Sequence, residues 1–110
     1  MPSYGAVSFH AQQTAEKGLK ALLIRHQVEF SKTHNLGEIL QLAESVVPGT
    51  AQKLADAEVL TPYAVETRYP ADEPPVERED ASRHLMMARK VLDAVAALLK
   101  SYLEAGRPGG

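Results

Sequence analysis

Phe9-His10-Ala11-Gln12-Gln13-Thr14-Ala15-Glu16-Lys17-Gly18-Leu19-Lys20-Ala21-Leu22 is the stretch on which the fold turns. Extended to Val7 and His26, it sets Phe9, Ala15, Leu19, Leu22, Leu23 and His26 at spacings of three, four and seven, the repeat of an amphipathic helix. Lys17 and Lys20 fall on the opposite side. Gly18 costs a helix about 1 kcal/mol relative to Ala and marks the close approach of a neighbouring helix.

Downstream, residues 27–34 form a connection with Val28 and Phe30 turned inward. Asn35 is placed to cap a second helix, with Glu38 completing a capping-box-like arrangement. Leu36, Ile39, Leu40, Ala43, Val46 and Val47 form its apolar stripe, and Pro48-Gly49 stops it. Thr50 is expected to cap a third helix in which Ala51, Leu54, Ala55 and Val59 face inward. Pro62 fits the first turn of a further short helix ending at Glu66. The segment from Tyr69 to Pro75 holds three prolines and two acids without periodicity and reads as a loop. A last helix spans 76–104, with Leu85, Ala88, Val91, Leu92, Val95, Leu98, Leu99 and Tyr102 along one face. No strand candidate or internal repeat interrupts this. The chain reads as all-α, an up-and-down helical bundle.

The 110 residues suit a single domain over 1–110, with 1–6 and 105–110 frayed. Apolar residues make up 45% and charged residues 24%, too apolar for a disordered chain. Absence of Cys excludes disulfides, thiol catalysis and cysteine-ligated metal. No apolar run approaches the roughly 18 residues of a membrane span, and Met1 to Gly5 do not resemble a signal peptide, so a soluble, cytoplasmic protein without membrane contact is expected. Net charge is −2, but it is segregated. Residues 1–34 carry four basic and two acidic side chains, residues 35–80 three and ten, and residues 81–110 five and two. Any contact with a polyanion must therefore be local.

The stretch from Phe9 to Leu22 resembles the signature helix of prokaryotic HEPN-domain proteins, small helical bundles often encoded beside a minimal nucleotidyltransferase. Lys32-Thr33-His34-Asn35-Leu36 is similar to that family's Thr-His-Asp-Leu helix start. Thr61-Pro62-Tyr63 through Glu66-Thr67-Arg68-Tyr69-Pro70 is similar to its Tyr…Arg-Tyr-Pro segment. The three occur in order, and the resemblance covers roughly residues 6–104. It implies a bundle of HEPN type lacking most of the usual first helix, since only Met1 to Ala6 precede the signature helix here. It implies two jobs of different class. One is a nucleotide-binding or partner-docking module of a two-gene, toxin–antitoxin-like cassette. The other is a metal-independent RNA-cleaving toxin.

For the second job the family's Arg-x(4–6)-His motif is matched by Arg78-Glu79-Asp80-Ala81-Ser82-Arg83-His84, with Arg78 and His84 as the catalytic pair. Arg stabilises phosphorane charge, and His moves a proton near neutral pH. Six arginines, four histidines and three permitted spacings yield about 0.7 accidental matches in such a chain. Glu79 and Asp80, following Arg78, repel a phosphate, and the plain alternative is a first turn of surface charges to which His84 pairs.

Arg68, beside Tyr63 and Tyr69, suits a nucleotide or RNA, the guanidinium on phosphate and a ring on a base. Packing of the loop is the alternative. His10, Gln13, Glu16 and Lys17 are expected to form a polar network at a helix interface, structural or around a nucleotide. His34 is expected to anchor its loop, and Met86-Met87 to fill core or interface. No cofactor and no metal site is expected.

Partners implied are the nucleotidyltransferase and a second copy of the chain. The two long helices carry wide apolar stripes with only short helices to cover them. Several hundred Å² left over, at about 25 cal/mol per Å², contribute on the order of 10 kcal/mol to a homodimer or higher oligomer before association costs.

Overall fold

The computed structural model describes residues 3–64 and 76–105, the side chains of 102–105 aside. Among the described residues there is no strand, and the protein is all-α. Helix α1 spans Tyr4–Arg25. It starts three residues before the apolar repeat because the Ser3 hydroxyl accepts the Ala6 N–H at 3.1 Å, an N-cap the periodicity does not register. It ends where Gln27 turns left-handed, with φ 59°.

Helix α2, Leu36–Val46, is capped by Asn35 as expected, its side chain accepting the Glu38 N–H at 3.0 Å. Glu38 does not complete the box: its carboxylate accepts from the Thr33 hydroxyl at 2.7 Å, and Thr33 accepts the Asn35 N–H at 3.1 Å. Gly49, at φ 94°, precedes the single turn of α3, Thr50–Lys53. Thr50 is not the cap expected of it. It lies inside the helix, buried, and its hydroxyl donates to the Val47 carbonyl, while the Glu44 carboxylate accepts the N–H groups of Gly49 and Ala51.

From Ala55 to Ala64 the chain is a 3-10 helix that takes Pro62 in its course. This corrects the third helix read from the sequence. Three residues per turn stack every third side chain, so Leu54, Ala57 and Leu60 are buried and Ala55 and Val59 are exposed.

Helix α4 spans Arg78–Ala105. Ser8 of α1 meets His84, and a Cβ on Gly18 would lie 3.4 Å from Leu92 and 4.0 Å from Val91, so α1 and α4 run in the same direction. Gly18 is the close approach its sequence announced. The core is built from Leu19, Leu22 and Leu23 of α1, Leu36, Ile39 and Leu40 of α2, and Ala88, Val91 and Val95 of α4, with Val28 and Phe30 tucked against it. Two residues expected on the inner face of α4 are not there: Leu85 is 51% exposed and Leu92 41%. The apolar stripe of α4 is wider than the face α1 covers. The Tyr69–Pro75 loop and the Tyr102 side chain lie outside the described residues.

Candidate functional site

Two polar clusters break the apolar interior. The first joins the beginnings of the two long helices. Ser8, on the second turn of α1, places its hydroxyl 2.7 Å from Nδ1 of His84 on the second turn of α4, and both side chains are buried. The Tyr63 ring, from the end of the 3-10 helix, lies against the imidazole at 4.7 Å between centroids, tilted by 47°. Burial lowers the His84 pKa below the usual 6.5, and the Arg83 charge adds to this against the opposing pull of Asp80. The ring is therefore neutral at pH 7, a form able to accept a proton. A hydroxyl on a neutral imidazole is the arrangement of a nucleophile and its base. Here the pair is closed over by the bundle.

Arg78 is exposed at the first residue of α4. Six helical positions separate it from His84, which places the two side chains about 120° apart around the axis. One points to solvent and the other to the core. Asp80 is engaged locally, accepting the Glu77 N–H at 3.1 Å and pairing with Arg83 at 2.7 Å. The partner of His84 is Ser8, one position before the Phe9–Leu22 stretch, rather than the acids beside it. A small hydroxyl on the apolar side of α1 was the available signal.

The second cluster centres on Glu16, whose carboxylate is almost wholly buried. Oε1 accepts from Gln12 Nε2 at 2.9 Å and from His34 Nδ1 at 2.8 Å, and Oε2 pairs with Lys20 at 3.1 Å. Gln13 donates to Gln12 at 2.7 Å, and Lys20 also lies 5.5 Å over the Phe30 ring. Burial raises the carboxyl pKa, but the hydrogen bonds from Gln12, His34 and Lys20 together outweigh it and hold the group below 4.5. Of the four residues expected here, Gln13 and Glu16 belong. His10 is exposed beside the Phe9 ring, and Lys17 is exposed. Gln12, Lys20 and His34 take their places. The i, i+4 run Gln12–Glu16–Lys20 carried that information. His34 anchors its loop, as expected, and does so on Glu16.

Arg68 and Tyr69 lie outside the described residues. Among the described residues no three His, Asp or Glu side chains are grouped to hold a metal, and no helix is long and apolar enough to cross a membrane.

The remaining feature is the outer side of α4. Leu85 and Leu92, one heptad apart, face a shallow cleft of about 420 Å³ shared with His10, Ala11 and Thr14 of α1. Met86, 72% exposed, lines both this cleft and a neighbouring groove of about 300 Å³.

A family model described as HEPN domain matches residues 2–100. No curated protein and no solved structure matches the chain.

Proposed function

Because the chain belongs to the HEPN domain family, we propose that it is a nucleotide-binding or partner-docking module, a homodimer acting with a minimal nucleotidyltransferase encoded beside it in a toxin–antitoxin-like cassette. The observation that carries this reading is the closure of His84, 3% exposed and hydrogen-bonded to Ser8, while Arg78 points away into solvent among acids. A ribonuclease needs both groups on one phosphate. The cleft of Leu85 and Leu92 against His10 and Thr14 supports pairing of two copies, since monomers rarely leave contiguous apolar strips uncovered. Tyr63, with Arg68 and Tyr69, supplies ring and guanidinium for a nucleotide.

The alternative is the metal-independent RNA-cleaving toxin. The neutral state of His84 favours it, because a general base must be unprotonated. Expression of the chain alone, and beside the neighbouring nucleotidyltransferase, separates the two. The module reading expects unimpaired growth, no RNA cleavage in EDTA, and co-purification of the nucleotidyltransferase. Toxicity and cleavage abolished by both Arg78→Ala and His84→Ala would replace it with the nuclease.

A further inference from the structure

His34 has one edge against the bundle and the other in water. Its Nδ1 lies 2.8 Å from Oε1 of the buried Glu16, yet the side chain is 63% exposed. Glu16 is ionised at neutral pH, so its oxygen can only accept, and Nδ1 carries the proton. In the neutral ring this leaves the lone pair on Nε2, at the far side of the imidazole. Among the described residues no hydrogen bond engages Nε2.

The ring is not the only anchor of its loop. Gln12 Nε2 donates to the His34 carbonyl at 3.4 Å, Thr33 accepts the Asn35 N–H at 3.1 Å, and the Thr61 hydroxyl accepts the Leu36 N–H at 3.0 Å. The backbone at and after His34 is therefore held without the imidazole. The carboxylate beneath the ring is fixed as well, by Gln12 on Oε1 and Lys20 on Oε2. A carboxylate fixed on Nδ1 orients an imidazole. It also stabilises the positive charge that grows on the ring when Nε2 attacks an electrophile.

The surroundings favour an electrophile that is an anion. Lys20 shares the Glu16 carboxylate with His34, and Lys17 is exposed one residue further on. From residue 16 to 38 the chain carries four basic and three acidic side chains. Of the acids, Glu16 is buried and paired, and Glu38 accepts from the Thr33 hydroxyl. The surface around the ring is thus mildly positive.

We propose that His34 is a modification site that takes a phosphoryl group on Nε2 from a small anionic phosphoryl donor, with Glu16 as its positioning residue. The Nε2 lone pair forms the bond to phosphorus while the bond from phosphorus to the leaving group breaks, and the leaving group departs with that electron pair. Nδ1 keeps its proton in the hydrogen bond to Glu16, whose charge offsets that of the ring. The phosphoryl group adds negative charge at the residue preceding the cap of α2.

Phosphoramidate, which gives its phosphoryl group to imidazoles and releases ammonia, is the probe, applied to the purified chain. Nitrogen-15 imidazole spectra are expected to show His34 with its proton on Nδ1 before reaction and with phosphorus on Nε2 after it. The label should be acid-labile and absent from His34→Ala. The internal standard is His10, exposed beside the Phe9 ring and without a carboxylate partner on its imidazole. His34 is expected to react about tenfold faster than His10, and Glu16→Gln to remove that advantage while His10 reacts as before. Equal rates at His34 and His10 in the parent chain overturn the proposal, as does a proton on Nε2 or a label on Nδ1. So does an undiminished rate at His34 in Glu16→Gln. Should Glu16→Gln fail to fold, the rate ratio and the tautomer in the parent chain decide by themselves.

Discussion

His84 enters the second turn of α4 between Ser8 and Tyr63, in surroundings that disfavour its charge. Its folded pKa lies below 6.5, so between that lowered value and 6.5 the unfolded chain holds a proton that the folded chain lacks. Stability is therefore complete above 6.5 and declines as the pH falls below it. Urea midpoints measured from neutral to mildly acidic pH should show this slope, and His84→Gln should flatten it. Glu16 behaves in the same direction at lower pH. Its folded pKa lies below 4.5, so its contribution is present above 4.5 and is lost as the pH falls through the folded value. Glu16→Gln is expected to cost about 2 kcal/mol at neutral pH, the worth of hydrogen bonds to a charged acceptor. The difference from the parent chain in urea midpoint should narrow below pH 4.5.

At the scale of elements, boundaries follow local chemistry where a side chain closes on its own helix. Asn35 on the Glu38 N–H is one such closure, and Asn35→Ala is expected to lower stability by about 1 kcal/mol in denaturant titration. Gly18 is set by packing instead. An added methyl gains about 1 kcal/mol of helix propensity, and its nearest neighbour is the flexible end of Leu92, itself 41% exposed. Gly18→Ala is therefore expected to be tolerated, with a thermal midpoint no lower than the parent's. Gly18→Phe, too large for the contact between α1 and α4, is expected to lower it by several degrees.

For the whole molecule, the relevant fact is that α4 is apolar beyond the width of its neighbours. Leu85 and Leu92 sit beside the cleft with α1, where a second copy would bury them. Sedimentation at micromolar concentration is expected to give a species of twice 12.0 kDa. Leu85→Glu with Leu92→Glu should convert it to a monomer that still folds, because neither side chain belongs to the buried core. A parent chain sedimenting at 12.0 kDa would mean that the strip stays open to water.

Period and caps carried the helices α1, α2 and α4, since hydrophobic spacing and capping chemistry act within a few residues of each other. The close approach at Gly18 and the loop anchor at His34 were legible for the same reason: each is announced by a residue type at one position. The change from α to 3-10 geometry after Lys53 was not, because a one-residue slip in which side chains turn inward is decided by what α1 and α2 offer them. Nor was the fate of Leu85 and Leu92, since a stripe shows which side of a helix is apolar and not how much of it a neighbour reaches. The partners of His84 and Glu16 belong to tertiary structure most of all. Ser8 lies 76 residues from His84, and His34 lies 18 from Glu16. Their hydrogen bonds exist only because the bundle brings separate segments together, and burial at His84 and hydrogen bonding at Glu16 set protonation states that no spacing along the chain encodes.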